Sequence, residues 1–219
     1  MLVLALDAAL SRCSVAVVAD GQLLAARQID ATQGHAARLP VMVREALAEA
    51  AVGTFSLSLV AATVGPGSFT GIRASLALAH GIALAAGVPV VGVTVGEAMA
   101  DSLPNLGERQ LWVAIDSRRG RVFLERKDGV VSVPLAALPT AAGKIAVAGN
   151  AAPVVASWLA AQDADVMLTD ARLPMPRHIA VAAQRRLAGA LPPRPALPLY
   201  VDPPEARLPA AGLRPAPAG

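Results

Sequence analysis

The chain has 219 residues, of which 55% are hydrophobic and only 3% aromatic, with 19 Lys and Arg against 16 Asp and Glu. That length suffices for one large domain or two small lobes with a real core, and the apolar content excludes a disordered chain. The formal charge of +3 permits contact with nucleic acid without demanding it. One cysteine, Cys13, excludes an intrachain disulfide and reads as a small core residue. The start, Met1 to Asp7, lacks a basic n-region and is interrupted by an acid, so no export signal is expected there.

Leu2–Leu6, Ser14–Ala19 and Gln22–Gln28 are predicted strands, and Asp20-Gly21 between the last two is a hairpin signal. An amphipathic helix is predicted over roughly Ala36–Ala51, starting or kinking near Pro40. A strand at Leu59–Val64, a helix at Ser68–Ala86 and a strand at Val88–Val95 follow, the pattern of a parallel β-α-β crossover. Residues 74 to 96 are nearly uncharged, but Gly87-Val88-Pro89 cuts the run into a helix and a strand rather than one membrane span.

The pattern then restarts. Leu111 to Asp116 echoes Leu2 to Asp7, and each strand is followed by a second one that runs into an Asp-Gly turn, Asp20-Gly21 and Asp128-Gly129. This implies an internal duplication with two related lobes, 1–98 and 99–207. A strand at Lys144–Ala148 and helices at Ala152–Gln162 and Ile179–Leu187 are predicted in the second half. The Pro-rich end is expected to be extended and, over 208–219, disordered.

Asp7 and Asp116 end the two equivalent strands. Two readings stand: they orient a metal-bound nucleotide, or they cap the turns that follow. The apolar Ala8-Ala9 after Asp7, where hydroxyl donors to phosphate would be expected, favours capping. Gly65-Pro66-Gly67-Ser68-Phe69-Thr70-Gly71-Ile72-Arg73 joins a strand to a long helix. Glycines there allow close backbone approach and Ser68 can N-cap the helix, but the Gly-Lys-Ser/Thr ending of a P-loop is absent.

That nine-residue string resembles the hallmark of the TsaB (YeaZ) family. So do Gly34 to Pro40, Asp116 to Val122 and Leu199 to Ala206, so the resemblance spans nearly the whole chain. It implies an α/β fold of the actin/sugar-kinase/Hsp70 type (ribonuclease H-like), built from duplicated lobes. It also implies a cytoplasmic, non-catalytic scaffold subunit in the formation of N6-threonylcarbamoyladenosine at tRNA position 37. The implied partners are a TsaD-like catalytic paralogue and a TsaE-like ATPase, with homodimers also formed, tRNA reached through the complex, and no membrane. No cofactor is implied beyond weak or vestigial ATP or ADP binding, with Asp7, Gly65, Gly67, Ser68 and Asp116 as the degenerate site. The alternative is a nucleotide-binding phosphotransferase or ATPase using Asp7 and Asp116.

The catalytic paralogue carries a His-x-x-x-His metal pair on its first helix. Here His35 is followed four residues later by Leu39, so no metal site is expected. Beyond Arg73 the second helix is apolar or small nearly all round. A surface helix normally has a polar face, so either the chain itself or a partner must cover both sides. The family's subunit interface lies on these two helices. The expected contact residues are Arg38, Leu39, Met42, Arg73, Leu76, His80 and Leu84.

Overall fold

A computed structural model describes residues 1–30, 35–103, 105–118 and 120–202, with His35 and Ala36 described as backbone only. The predicted tail 208–219, Arg119, and Pro203–Ala206 of the family-like C-terminal string lie outside the described residues.

The first half opens as the predicted meander, β1 (Leu2–Asp7), β2 (Arg12–Ala19) and β3 (Gln22–Asp30). Asp20 and Gly21 form the first hairpin turn with φ of 48° and 81°. Helix α1 (His35–Glu49) carries Pro40 in its interior, and β4 (Leu59–Gly65), α2 (Phe69–Ala86) and β5 (Val90–Thr94) complete a parallel crossover. Gly87 ends α2 in the left-handed region, where its amide caps Ala83 and Leu84. Helix α3 (Val95–Asp101) leads out.

The second half repeats this order. β6 (Gln110–Asp116), β7 (Arg121–Arg126), β8 (Gly129–Pro134), β9 (Ile145–Ala148), α4 (Ala152–Ala160) and β10 (Val166–Leu168) build the second sheet. Sheet one runs β3-β2-β1-β4-β5; sheet two, read from its far edge, runs β8-β7-β6-β9-β10. In each, the first three strands are antiparallel and the last two join parallel. The duplication is therefore one of topology, strand for strand, and Asp7 and Asp116 occupy equivalent strand ends.

Alternate residues of β1 serve two cores. Leu4 and Leu6 face α1 and α2, while Val3 and Ala5 face the other way. That second face needs a cover, and α5 (Pro176–Leu187) supplies it through Ile179, Ala180, Ala182 and Ala183. So α5, grouped by sequence with the second lobe, packs on sheet one. A segment from Arg194 to Tyr200 then runs back along sheet one and α2. Gly92 N donates to Arg194 O, and Leu199 N donates to Val64 O at 2.8 Å.

The halves also meet through charge. Glu125 of β7 accepts from the Thr94 hydroxyl and from Gly96 N at 2.8 Å. Gly96 leaves the room for this, since a Cβ there would lie 2.3 Å from the Glu125 carboxyl carbon. Neighbouring Glu97 is bound by Arg186 of α5 and faces Arg194 at 3.6 Å. Burial pushes the Glu125 carboxyl up to about 7, against the hydrogen bonds from Thr94 and Gly96. A carboxyl held above its ordinary 4.5 binds its proton more tightly in the folded chain. Its stabilising contribution is therefore full at acid pH and is lost as pH rises from about 4.5 to about 7. Glu125→Gln cannot ionise. In urea melts it should gain on the wild type as pH is raised through that window; a constant difference would contradict the assignment.

Candidate functional site

The glycine turn is welded to the loop after β1. A Cβ on Gly67 would lie 2.1 Å from Ala9 O, and one on Gly71 would lie 2.0 Å from Ala8 O. Only glycine permits that approach. Ser68 N donates to Ala9 O at 2.7 Å, and Ser68 Oγ caps α2 by accepting from Gly71 N at 3.2 Å. Two amides of the turn are thus used within the chain. Asp7 is fully buried, and its Oδ1 accepts from Ala9 N at 2.9 Å and from Thr63 Oγ1 at 2.5 Å. It fixes the Ala8-Ala9 loop against β4.

Asp116 is exposed. Its Oδ1 accepts from Arg118 N at 2.7 Å, while its own amide donates to Asn150 Oδ1 at 2.9 Å. Between this loop and the glycine turn lies a cleft of about 860 Å³, bounded on a third side by Pro198 to Asp202. Gly67, Ser68 and Asp116 line it; Asp7 and Gly65 do not. At its mouth the Arg73 guanidinium sits 3.2 Å over the Phe69 ring and donates to the Tyr200 hydroxyl at 2.5 Å.

The expected contact residues divide. Leu39, Met42 and Leu76 are 0%, 2% and 4% exposed and belong to the core beneath α1 and α2, so they offer no side chain to a partner. The physical reason is register. Leu39, Met42, Val43 and Ala46 on α1, and Ile72, Leu76, Ala79 and Ala83 on α2, are the stripes that the sheet claims. Arg38, His80 and Leu84 are exposed, Leu84 at 85%. His80 Nε2 lies 2.8 Å from Ala196 O, so the Arg194–Tyr200 segment covers one flank of α2.

Sequence reasoning missed the residues that remain outside: Val41 and Ala48 on α1, and Ala77, Gly81 and Ala85 on α2. The same helical register would have found them, as the complement of the buried stripes. Phe55, 83% exposed in the turn Thr54–Ser56, was missed as well. Among the described residues no group of three or more His, Cys, Asp or Glu is placed to hold a metal. The metal pair of the catalytic paralogue does not fit here, because Leu39 at its second position is buried in the core.

Two matched ribonuclease H-like lobes, with a cleft between equivalent strand-end loops, define an α/β protein of the actin and sugar-kinase class. The family described as TsaD, tRNA N6-adenosine threonylcarbamoyltransferase, matches residues 28–162. The chain belongs to this family, as one of its TsaB (YeaZ) members. It is 35% identical over 124 residues to the tRNA threonylcarbamoyladenosine biosynthesis protein TsaB of Escherichia coli, covering 56% of this chain and 53% of that one. The TsaB of Haemophilus influenzae is 34% identical over 124 residues, covering 56% and 52%. The chain thus spans about half the length of the curated relatives it matches. Two Pseudomonas aeruginosa structures are each 26% identical to it: YeaZ itself, and a protein described as similar to the peptidase YeaZ. Their TM-scores are 0.69 and 0.73, covering 91% and 92% of this chain and 99% of each of theirs.

The packing separates two kinds of glycine. Gly71→Ala should cost about 2–3 kcal/mol through its clash with Ala8 O, a fall in Tm of roughly 4–12 °C for a chain of this size. A Cβ on Gly81 meets nothing within 4 Å. Gly81→Ala should instead raise stability by up to about 1 kcal/mol. Thermal melts of the two variants check this, and equal effects would refute it.

Proposed function

We propose that this chain is an accessory subunit in the formation of N6-threonylcarbamoyladenosine on tRNA, acting in the cytoplasm. It docks on a TsaD-like catalytic paralogue through the outer face of α1 and α2. A TsaE-like ATPase joins the assembly, and the tRNA is handled by the complex. The observation that carries this reading is the exposed apolar face of these helices. Leu84 is 85% exposed and Val41 42% exposed, with Ala48, Ala77, Gly81 and Ala85 beside them. Small residues on a helix let a second helix approach closely, and Leu84 is the natural anchor of such a contact. The match to the TsaB proteins supports the pathway. The intrachain bonding of Ser68 N and Gly71 N supports a binding role over phosphate chemistry.

The test is the affinity for a purified TsaD-like paralogue from the same cell. Gly81→Leu and Leu84→Arg should each weaken the complex by about 30-fold or more, with melting temperatures no lower than the wild type's. A wild-type chain that fails to bind, or variants that bind as it does, would count against the reading.

A further inference from the structure

We propose that the cleft between the lobes takes one unstacked nucleobase of an RNA strand. The base stacks on the exposed rings of Phe69 and Tyr200, and its edge is read by Asp116 and Asn150. The choice of RNA over other sources of a base rests on the tRNA role proposed above.

The chain holds three Phe, two Trp and one Tyr, so where it exposes them is informative. Trp112 is 3% exposed, Trp158 is half-buried, Phe123 is half-buried on the cleft wall, and Phe55, 83% exposed, does not line the cleft. Phe69 and Tyr200 are 64% and 60% exposed, and both line the cleft, with ring centroids 6.5 Å apart. Arg73 fills the space between the two rings, 3.2 Å from the Phe69 centroid and 5.3 Å from that of Tyr200. It stiffens both rings and leaves their outer faces to a ligand. Exposed aromatic rings stiffened by arginine form the stacking surface that single-stranded nucleic acids use.

The charge lining the cleft is balanced, with two arginines and two aspartates, which disfavours a free triphosphate. Arg73 Nη1 is buried without a hydrogen-bond partner, and no carboxylate of the described residues lies within ion-pair distance of this guanidinium. Arg118 adds a second cation on the facing wall, beside the carboxylates of Asp116 and Asp202. One backbone phosphate can settle against Arg118. Two amides of the turn, Ser68 N and Gly71 N, are already bonded within the chain and are not offered to a triphosphate.

The facing wall carries a donor next to an acceptor. The Asp116 amide holds Asn150 by its Oδ1, which leaves the Asn150 amide nitrogen as the donor. Asp116 uses Oδ1 on Arg118 N, and its second carboxylate oxygen is the acceptor. Adenine or cytosine, with an amino group beside a ring nitrogen, meets this pair, and uracil meets it through N3–H and a neighbouring carbonyl, so the pair orients a base and stacking sets the preference.

The experiment is fluorescence anisotropy of end-labelled short oligoadenylate and oligouridylate with the full chain, with AMP and ATP as competitors. Oligoadenylate should bind more tightly than oligouridylate, because adenine offers the larger stacking surface to Phe69 and Tyr200. Phe69→Leu, which keeps apolar packing under Arg73 but removes the flat ring, and Tyr200→Ala should each weaken binding about ten-fold. Melting curves show whether each variant is folded. ATP should compete no better than AMP. No binding by the wild type, unchanged binding in both variants, equal binding of the two oligonucleotides, or ATP competing far better than AMP would each overturn the proposal. Affinity for the TsaD-like paralogue is measured in parallel. Its loss in Gly81→Leu, with oligoadenylate binding retained, supports both readings, whereas failure of the wild type to bind the paralogue faults the docking role alone.

Discussion

The contact between the glycine turn and the Ala8-Ala9 loop sets the geometry of everything around it. With Cβ positions blocked at 2.1 and 2.0 Å by two carbonyl oxygens, Gly67 and Gly71 can be nothing larger without moving backbone. That contact fixes where α2 begins and how it is rotated. The rotation decides which residues of α2 enter the core and which face outward. It also engages Ser68 N, bonded to Ala9 O, while Gly71 N is held by the Ser68 hydroxyl. Asp7 serves the same contact from below, buried and bonded to Ala9 N and Thr63 Oγ1.

Around this weld the duplicated lobes have diverged. Asp116, equivalent to Asp7 by topology, is exposed and faces the cleft with Asn150. The first lobe is covered on both faces, by α1 and α2 on one side and by α5 on the other. The second carries α4 against its sheet. The Arg194–Tyr200 segment joins the story late in the chain but touches α2, β4 and β5 together. It narrows the unclaimed part of α2 to Ala77, Gly81, Leu84 and Ala85, and so sharpens the surface on which a partner can dock.

Most strands were legible in the sequence because alternating and buried runs bounded by Asp-Gly and Gly-Pro leave little choice of element, but β8 and the three-residue β10, neither with a fully buried face, were not. The repeat of Leu2–Asp7 in Leu111–Asp116 was legible for the same reason, and it corresponds to a strand-for-strand match. The helix faces were not. Leu39, Met42 and Leu76 attract the eye as contact residues because they are large and apolar, yet a core takes such residues first. The outward positions are alanine and glycine, whose size gives no periodic signal. The Arg194–Tyr200 segment was illegible because proline-rich chain has no hydrophobic period, and its partners, His80, Val64 and Arg73, lie far away in sequence. The placement of α5 was hidden too, since its alanines fit either sheet.

The most direct measurement of the central claim is amide hydrogen exchange of this chain, alone and bound to a TsaD-like paralogue. The account predicts new protection confined to α1 and α2, strongest around Val41 to Ala48 and Ala77 to Ala85, with sheet two unchanged. Protection centred on sheet two or α4, with α1 and α2 exchanging as they do in the free chain, would contradict it.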